Sequence, residues 1–238
     1  MLGLFKKEKK LPACSVVVVA AGSSQRMGSD KLMAPLGDIN VLGLTLTAFE
    51  KSAYVSEIVV VTREDRLQEI ADLCKKYAIN KASKVVAGGA TRAQSALAGV
   101  SAVDSKAKLV AIHDGARPFV SEELIARTVC AAYKYKAAAP ALKSVDTLKS
   151  VDEKGFICAT VDREKVVRIQ TPQVFDADLI KGALTKAVAD NLPITDDCSA
   201  IEMMGVKTFV VEGDYNNIKL TTPSDMLLAA AIYEELGG

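Results

Sequence analysis

The chain has 238 residues, of which half are hydrophobic, only 5% are aromatic, and 30 basic side chains nearly balance 29 acidic ones. This length allows one sizeable core, and the balanced charge excludes a global attraction to nucleic acid or to an anionic membrane surface. We therefore predict a single α/β domain over residues 1–238, with no nucleic acid and no membrane among its partners.

The five cysteines are scattered, and they form no C-x-x-C pair or Cys/His cluster suited to zinc. An odd number of scattered thiols is typical of a reducing compartment. No apolar run has the length of a membrane span, and the basic N-terminal residues lead into no secretory segment. We expect a soluble protein of the cytoplasm.

Strand and helix patterns alternate from residue 16 to residue 142. The run VVVV at 16–19 is typical of a strand buried on both faces of a parallel sheet. Further strands are predicted at 57–62, 84–87, 109–113 and 137–142. Helices are predicted at 41–52 with Asn40 as N-cap, at 64–77, at 91–103 and after Ser121.

This alternation, with short connections, requires right-handed crossovers. We therefore predict a Rossmann-like, doubly wound, mainly parallel sheet with helices on both faces. Ligands of such sheets bind outside the carboxyl ends of the strands, so the residues that follow each strand are the candidates for function.

The alternation stops between residues 144 and 170. A turn at 152–155, followed by short extended pieces at 156–160 and 166–170, predicts a β-arm or hairpin instead of another crossover. Because an isolated two-stranded arm is marginally stable in water, we expect it to dock on a second copy of the chain in a homodimer.

Beyond Pro172 the pattern predicts further helices and one more strand. A helix is expected at 176–189, and a second one is expected to be capped by Thr195, with two aspartates in its first turn. A strand at 206–211 and a short extended piece at 217–220 precede a last helix. That helix opens with Thr222-Pro223, where proline takes its preferred first position.

The loop after the first strand is the strongest candidate site. Its small residues Ala20, Ala21 and Gly22 let a ligand approach the backbone, and Arg26 and Lys31 add two cations suited to a polyphosphate. The glycine spacing fits neither a P-loop nor a dinucleotide-binding fingerprint. The stretch resembles the loop of nucleotidyltransferases that make nucleoside-diphosphate sugars and alcohols. The alternative is a Gly/Ser-rich turn with solvated charges.

Two further strand ends carry polar residues. After the third strand, Gly89, Arg92 and Ser95 lie at the start of a helix, where free N–H groups favour an anion; the alternative is a tight turn with a helix cap. After the fourth strand, Asp114 is a candidate Mg²⁺ ligand and Arg117 can hold a phosphate. The neighbouring histidine is predicted to be structural, because phosphate attack on phosphate needs no base.

The arm and the last loops supply hydroxyls and cations suited to a small phosphorylated polyol. Taken one by one, these residues are more typical of an exposed surface than of a binding site. They are Thr147, Arg163, Thr171, Thr195 and Lys219.

Eight motifs occur in one order: AAGSSQRMG, GGATRAQS, HDGARPF, VDT, VDR, QTPQVF, TDD and NIKLTTPSD. With them the chain, from residue 15 to its C-terminal helix, resembles the 2-C-methyl-D-erythritol 4-phosphate cytidylyltransferase family. The resemblance implies a homodimeric, Mg²⁺-dependent enzyme of the non-mevalonate isoprenoid pathway. Such an enzyme joins CTP and methylerythritol phosphate and releases pyrophosphate.

The resemblance also implies roles for the candidate residues. The cytidine nucleotide would contact Ala20, Ala21, Gly22, Gly89 and Ser95, and we also expect Arg92 and Gly115 to bind substrate. Charge on the reacting phosphates would be stabilised by Arg26, Lys31 and Lys219, and Asp114 would position metal or substrate. Methylerythritol phosphate would be surrounded by Arg117, Thr147, Arg163, Thr171 and Thr195, with Thr147 and Arg163 reaching across from the partner's arm.

The chain departs from the commoner family pattern beside Lys31, where Ser29-Asp30 stands in place of a longer segment with proline. Asp30 is therefore a second candidate for contact with the metal. Two other functions remain open from the sequence. One is cytidylyl transfer to ribitol or ribulose 5-phosphate, and the other is nucleotide binding without catalysis on the same scaffold.

Overall fold

A run of buried β-branched residues forms the centre of the fold. In a computed structural model the described residues are 13–22 and 30–237. The first strand, Cys14–Val19, lies in the middle of a sheet, with Val16, Val17 and Val18 fully buried. Burying one such side chain contributes about 1.5–3 kcal/mol, which is why this run becomes a central strand.

The described residues form twelve strands and seven α-helices. The strands are β1 (Cys14–Val19), β2 (Pro35–Leu36), β3 (Ile39–Asn40), β4 (Val55–Thr62), β5 (Ala82–Ala87), β6 (Leu109–Asp114), β7 (Ala137–Lys143), β8 (Lys149–Val151), β9 (Ile157–Thr160), β10 (Val167–Ile169), β11 (Gln173–Asp176) and β12 (Phe209–Glu212). The helices are α1 (Val41–Lys51), α2 (Leu67–Lys76), α3 (Arg92–Ala102), α4 (Glu122–Tyr135), α5 (Ala177–Ala189), α6 (Asp197–Met203) and α7 (Pro223–Glu235).

Eight strands make the main sheet, in the order β10-β7-β11-β6-β1-β4-β5, with β12 beside β7. β1 pairs in parallel with β4 and β6, β4 pairs in parallel with β5, and β12 pairs in parallel with β7. In contrast, β11 runs antiparallel to β6 and β7, and β10 runs antiparallel to β7. The prediction of a doubly wound, mainly parallel sheet is confirmed.

Side chains alternate between two cores, one on each face of the sheet. Val16 and Val18 of β1 belong to the core that α1, α2, α4 and α7 cover. Val17 belongs to the second core, which α3, α5 and α6 cover. Because successive side chains of a strand point to opposite faces of the sheet, both faces are apolar and helices cover both of them, as expected for right-handed crossovers.

The structure changes several predicted boundaries. A short 3₁₀ turn, Glu64–Arg66, precedes α2 where one longer helix was expected. The strand predicted at 206–211 is β12, which begins at Phe209. The extended piece predicted at 217–220 forms no strand of a sheet; its last residue, Leu220, donates from its backbone N to the Ala116 carbonyl at 2.9 Å.

Thr195 is not the cap of the following helix. The N-cap of α6 is Asp196, whose carboxylate accepts a hydrogen bond from Ser199 N at 3.0 Å. The strand β11 was not predicted, because four residues next to Pro172 show no measurable periodicity and their last residue caps α5. It fills the position between β6 and β7.

The predicted arm at 144–170 contains a hairpin and a strand of the main sheet. In the hairpin, β8 and β9 form a separate antiparallel pair, and Asp152 accepts a bond from Gly155 N at 3.1 Å in the turn between them. Gly155 has φ +88°, a conformation that favours glycine. β10 instead joins β7 in the main sheet.

No helix in the described part of the chain is both long and apolar enough to cross a membrane.

Candidate active site

A cavity of about 560 Å³ opens at the carboxyl ends of β1, β5 and β6, where the topology predicted a ligand site. Its lining comes from the segments that follow these strands and from the loop before α7. The lining residues are Val19, Ala20, Ala21, Gly22, Lys31, Leu32, Gly89, Ala90, Thr91, Arg92, Ser95, Asp114, Gly115, Ala116, Lys219 and Thr221. Its volume suits a small-molecule site.

The cavity contains ten of the residues predicted from the sequence. They are Ala20, Ala21, Gly22, Lys31, Gly89, Arg92, Ser95, Asp114, Gly115 and Lys219. Arg26 lies outside the described residues. Thr91 and Thr221 were missed, since a threonine next to a helix start indicates a cap before it indicates a ligand.

The segment that begins at Asp30 is anchored to the helix layer. Asp30 Oδ2 lies 2.5 Å from Arg66 Nη1, and its Oδ1 accepts a hydrogen bond from Leu32 N at 3.1 Å. The Asp30 carboxylate is thus engaged with Arg66 and does not line the cavity. These two contacts of Asp30 hold the backbone on either side of Lys31, which lines the cavity.

Close backbone packing shapes the cavity at the start of α3. Thr91 and Gln94 form a reciprocal capping box, and Ser95 Oγ accepts a hydrogen bond from Gly89 N at 3.2 Å. A Cβ on Gly89 would lie 2.8 Å from Gln94 Oε1, so that only glycine leaves this turn undisturbed. The structure shows the helix cap that the sequence offered as one alternative, and the same turn lines the cavity.

Arg92 projects from the first turn of α3 between two carboxylates. Its Nη1 lies 2.7 Å from Oδ2 of Asp197, and its Nη2 lies 3.5 Å from Oδ1 of Asp114. Burial opposes the charged guanidinium, but the two carboxylates outweigh burial and raise the pKa of Arg92. Asp197 was predicted only as a helix-dipole residue, because a contact between distant helices leaves no local signal.

Asp114, the last residue of β6, collects three cations. Lys219 Nζ lies 2.9 Å from Oδ2, Arg117 Nε lies 3.5 Å from the same oxygen, and Arg92 approaches Oδ1. Burial alone would raise the pKa of this carboxyl, but Lys219 and Arg92 hold it well below its usual range. Asp114 is therefore ionised at neutral pH.

His113 is structural, as expected. It is fully buried; its Nε2 lies 3.1 Å from the carbonyl oxygen of Arg117, and its Nδ1 lies 3.1 Å from Oγ1 of Thr171. Because a carbonyl accepts, the hydrogen is on Nε2 and Nδ1 accepts from the threonine. Burial lowers the pKa of His113 to about 4, which keeps the ring neutral.

Five predicted binding residues lie outside the cavity lining. Thr171 is buried behind Asp114, and its Oγ1 accepts a hydrogen bond from Asp114 N at 3.2 Å. Arg117 is also buried, and its Nη1 donates to the Asn217 carbonyl at 2.7 Å. Thr147, Arg163 and Thr195 are exposed elsewhere on the surface. Arg163 Nη1 donates to the Val145 carbonyl within the arm at 3.0 Å. Their roles toward a substrate stay predictions.

The described residues contain no group of three or more His, Cys, Asp or Glu side chains that could hold a metal by themselves. Within the described cavity lining, Asp114 is the one carboxylate and stands beside three cationic residues, Lys31, Arg92 and Lys219. Such a site favours a polyanion over a bare cation. A divalent ion there would need phosphate oxygens from a ligand as well.

A parallel sheet with a glycine-lined, cationic cavity at its strand ends defines a nucleotide-binding α/β protein. The family model of 2-C-methyl-D-erythritol 4-phosphate cytidylyltransferase matches residues 14–235. The chain therefore belongs to this family, and it is a nucleotidyltransferase.

Individual relatives agree with this assignment. A 2-C-methyl-D-erythritol 4-phosphate cytidylyltransferase of Caldanaerobacter subterraneus is 43% identical over 218 residues, which cover 90% of this chain and 96% of that protein. The same-named protein of Halalkalibacterium halodurans is 44% identical over 223 residues, 93% of this chain and 97% of that protein. A solved 4-diphosphocytidyl-2C-methyl-D-erythritol synthase of Anaerococcus prevotii is 36% identical and superposes with a TM-score of 0.83, covering 94% of this chain and 96% of that one.

Proposed function

We propose that the chain transfers a cytidylyl group from CTP to 2-C-methyl-D-erythritol 4-phosphate in isoprenoid precursor synthesis. The products are 4-diphosphocytidyl-2-C-methyl-D-erythritol and pyrophosphate. The observation that carries this proposal is the gathering of Lys31, Arg92 and Lys219 around backbone that is bare of large side chains. The names of the relatives, which share over a third of their sequence with this chain, supply the two substrates.

In this proposal the nucleotide lies along the two small-residue turns. Ala20, Ala21 and Gly22 offer backbone at the end of β1, and Gly89 and Ser95 close the opposite wall. Only small side chains leave room for a sugar and a base so close to the main chain. The triphosphate then faces the cations of the cavity.

The reaction is an in-line displacement at the α-phosphorus. An oxygen of the acceptor phosphate forms the new P–O bond while the bond to the β-phosphate oxygen breaks, and pyrophosphate leaves with that electron pair. Charge increases on the oxygens around the α-phosphorus, where Lys31, Lys219 and Arg26 act as the stabilising cations. Catalysis of this kind consists of positioning and electrostatic stabilisation.

No general base is part of the proposal. The acceptor phosphate is already an anion at neutral pH, and it has no proton to lose from its attacking oxygen. His113 uses both ring nitrogens inside the protein and is fully buried. It holds the loop between Asp114 and Arg117 in place instead.

Mg²⁺ fits this site only together with the nucleotide. Asp114 supplies one ionised carboxylate at the cavity, which matches the preference of Mg²⁺ for one or two carboxylates plus phosphate oxygens. When bound, the ion neutralises part of the triphosphate charge. Asp114 would hold it while also keeping Lys219 within 2.9 Å.

We also propose a homodimer in which the arm docks on the partner. Val145, Phe156 and Ile157 of the arm are each more than 60% exposed, which is costly for apolar side chains in water. Docking would cover them and would bring Thr147 and Arg163 toward the partner's cavity.

The five cysteines are all unpaired, which supports the reducing cytoplasm as the compartment.

The testing experiment is pyrophosphate release with Mg²⁺, in which four nucleoside triphosphates are crossed with methylerythritol, ribitol and ribulose phosphates. The proposal predicts release from CTP with methylerythritol phosphate alone. Release with a pentitol or pentulose phosphate instead would assign the chain to another acceptor. Binding of CTP without release in any combination would favour a non-catalytic protein and overturn the proposal.

A further inference from the structure

The carboxylate of Asp197 is completely buried beneath the cavity. It is the first residue of α6, its side chain has no exposed surface, and it does not line the cavity itself. Among the described residues its ion-pair partner is Arg92, at 2.7 Å. Burial raises the pKa of the Asp197 carboxyl and Arg92 opposes that shift, so the charged form of Asp197 depends on the guanidinium beside it.

The backbone of Asp197 is fixed from the opposite direction. Gln173 Oε1 accepts hydrogen bonds from Asp197 N and from Cys198 N, each at 3.0 Å, while Gln173 Nε2 donates to Asp196 Oδ2 at 2.8 Å. Gln173 itself is buried and pairs with Ile112 of β6, the strand that ends in Asp114. Asp197 is thus tied to the same strand that carries the cavity carboxylate.

Arg92 stands between two carboxylates at unequal distances. Asp197 holds it at 2.7 Å, whereas Asp114 lies 3.5 Å away. If the charge of Asp197 were removed, Asp114 would be the remaining carboxylate near the guanidinium, and Arg92 would move toward it. Asp114 already carries Lys219 and Arg117, so this movement would disturb the charges that line the cavity.

We propose that Asp197 is a positioning residue, which acts through Arg92 to hold the guanidinium at the nucleotide. It touches no substrate. This inference rests on the proposed function for the identity of the nucleotide, CTP. Asp197 belongs to the TDD motif, and in the sequence it indicates only the start of a helix. The inference gives this residue a functional role.

The test compares Asp197→Asn with Asp178→Asn, a matched change at an exposed aspartate in the first turn of α5. Like Asp197, Asp178 lies in the first turn of a helix, but it is exposed and is not an ion-pair partner of Arg92. We expect Asp197→Asn to weaken CTP binding, measured by calorimetry, by about tenfold, and to lower kcat/KM by about 10–100-fold. Asp178→Asn should leave both values within about twofold, because it removes an exposed first-turn charge and leaves Arg92, Gln173 and the cap of α6 unchanged.

Arg92→Gln and the double variant Arg92→Gln with Asp197→Asn complete the test. If Asp197 acts through Arg92, Asp197→Asn causes no further loss in the Arg92→Gln background, and it raises the urea midpoint there because it removes an unpaired buried charge. An equal loss in both backgrounds would overturn the inference, as would normal CTP binding and turnover by folded Asp197→Asn. If Asp197→Asn alone fails to fold, the double variant with both charges removed decides between these outcomes.

The same measurements separate this inference from the proposed function. Wild-type protein that binds CTP but releases no pyrophosphate would contradict the reaction, while the CTP affinities of the variants would still decide the role of Asp197. Wild-type protein that does not bind CTP would overturn both.

Discussion

Lys219 Nζ lies 2.9 Å from Oδ2 of Asp114, which joins the loop before the last helix to the end of a central strand. Asp114 is largely buried, and Arg92 and Arg117 approach the same carboxylate. One negative charge therefore pairs with three cations, of which Lys219 and Arg92 line the cavity. The proposed reaction depends on that arrangement, since stabilisation of a developing charge requires donors that are already in place.

Replacing Asp114 with asparagine should destabilise the protein. The substitution leaves the buried Arg117, the part-buried Arg92 and Lys219 without their common partner, and breaking a buried ion pair costs about 3–5 kcal/mol. Urea unfolding measures this change. Asp72→Asn is the matched control, because Asp72 forms a solvent-exposed pair with Lys75 and its substitution should leave the urea midpoint nearly unchanged. Equal effects of the two substitutions would contradict this view of Asp114.

Stability should fall as the pH decreases from about 6.5 toward 4, because His113 is buried in its neutral form. Its pKa is about 4 in the folded protein and about 6.5 when the ring is exposed, so the unfolded chain binds a proton first. The contribution is complete above pH 6.5 and declines below it, by about 3 kcal/mol in total.

Urea unfolding of the wild type and of His113→Gln between pH 5 and 7.5 tests this expectation. The carboxyl groups with lowered pKa, such as Glu57, lose their contributions mainly below this range. The variant should therefore show a flatter dependence on pH than the wild type. The same slope in both proteins would show that another group titrates.

Two helix glycines should respond in opposite directions to alanine. At Gly99 in α3 a Cβ would overlap Val17 Cγ1 and would lie 2.7 Å from Val61 Cγ2, so Gly99→Ala should destabilise by about 1–3 kcal/mol. At Gly182 in α5 the Cβ meets nothing within 4 Å. Gly182→Ala should stabilise by about 0.5–1 kcal/mol through helix propensity. Urea unfolding of both variants gives the two signs, and a stabilising Gly99→Ala would refute this helix–sheet contact.

A mixing experiment tests the contribution of the arm across the proposed dimer. Arg163→Ala and Lys219→Ala are each expected to be inactive, and heterodimers of the two would contain one intact site. If Arg163 serves the partner's cavity, mixing and subunit exchange should restore about a quarter of the wild-type activity. No recovery, although light scattering shows exchanged dimers, would place Arg163 in its own subunit's site. A monomer at micromolar concentration would contradict the proposed homodimer.

Local signals predicted most of the sheet and the cavity wall. The valine run gave β1, and the small residues after β1 and β5 lie at the cavity because the carboxyl ends of parallel strands meet at one edge. Ser95 and Asp114 were found for the same reason. Such residues follow directly from a strand pattern that the sequence displays.

Other features depend on contacts between distant segments, which no local pattern records. β11 is four residues long and exists because β6 and β7 pair with both of its edges. The burial of Arg117 follows from its bond to Asn217, and the pairing of Asp197 with Arg92 follows from the docking of α6 beside α3 through α5. The residue-by-residue interpretation assigned Arg117 to a phosphate and Asp197 to the first turn of a helix.

The most direct test of the account is pyrophosphate release from CTP and methylerythritol phosphate by Lys219→Ala. Lys219 lines the cavity and is about two-fifths exposed, so its removal should leave the fold intact while turnover falls by about 10²–10³-fold. Lys75→Ala, which removes an exposed lysine on α2, should keep wild-type turnover. Near-normal turnover by folded Lys219→Ala would contradict the claim that this cavity is where cytidylyl transfer takes place.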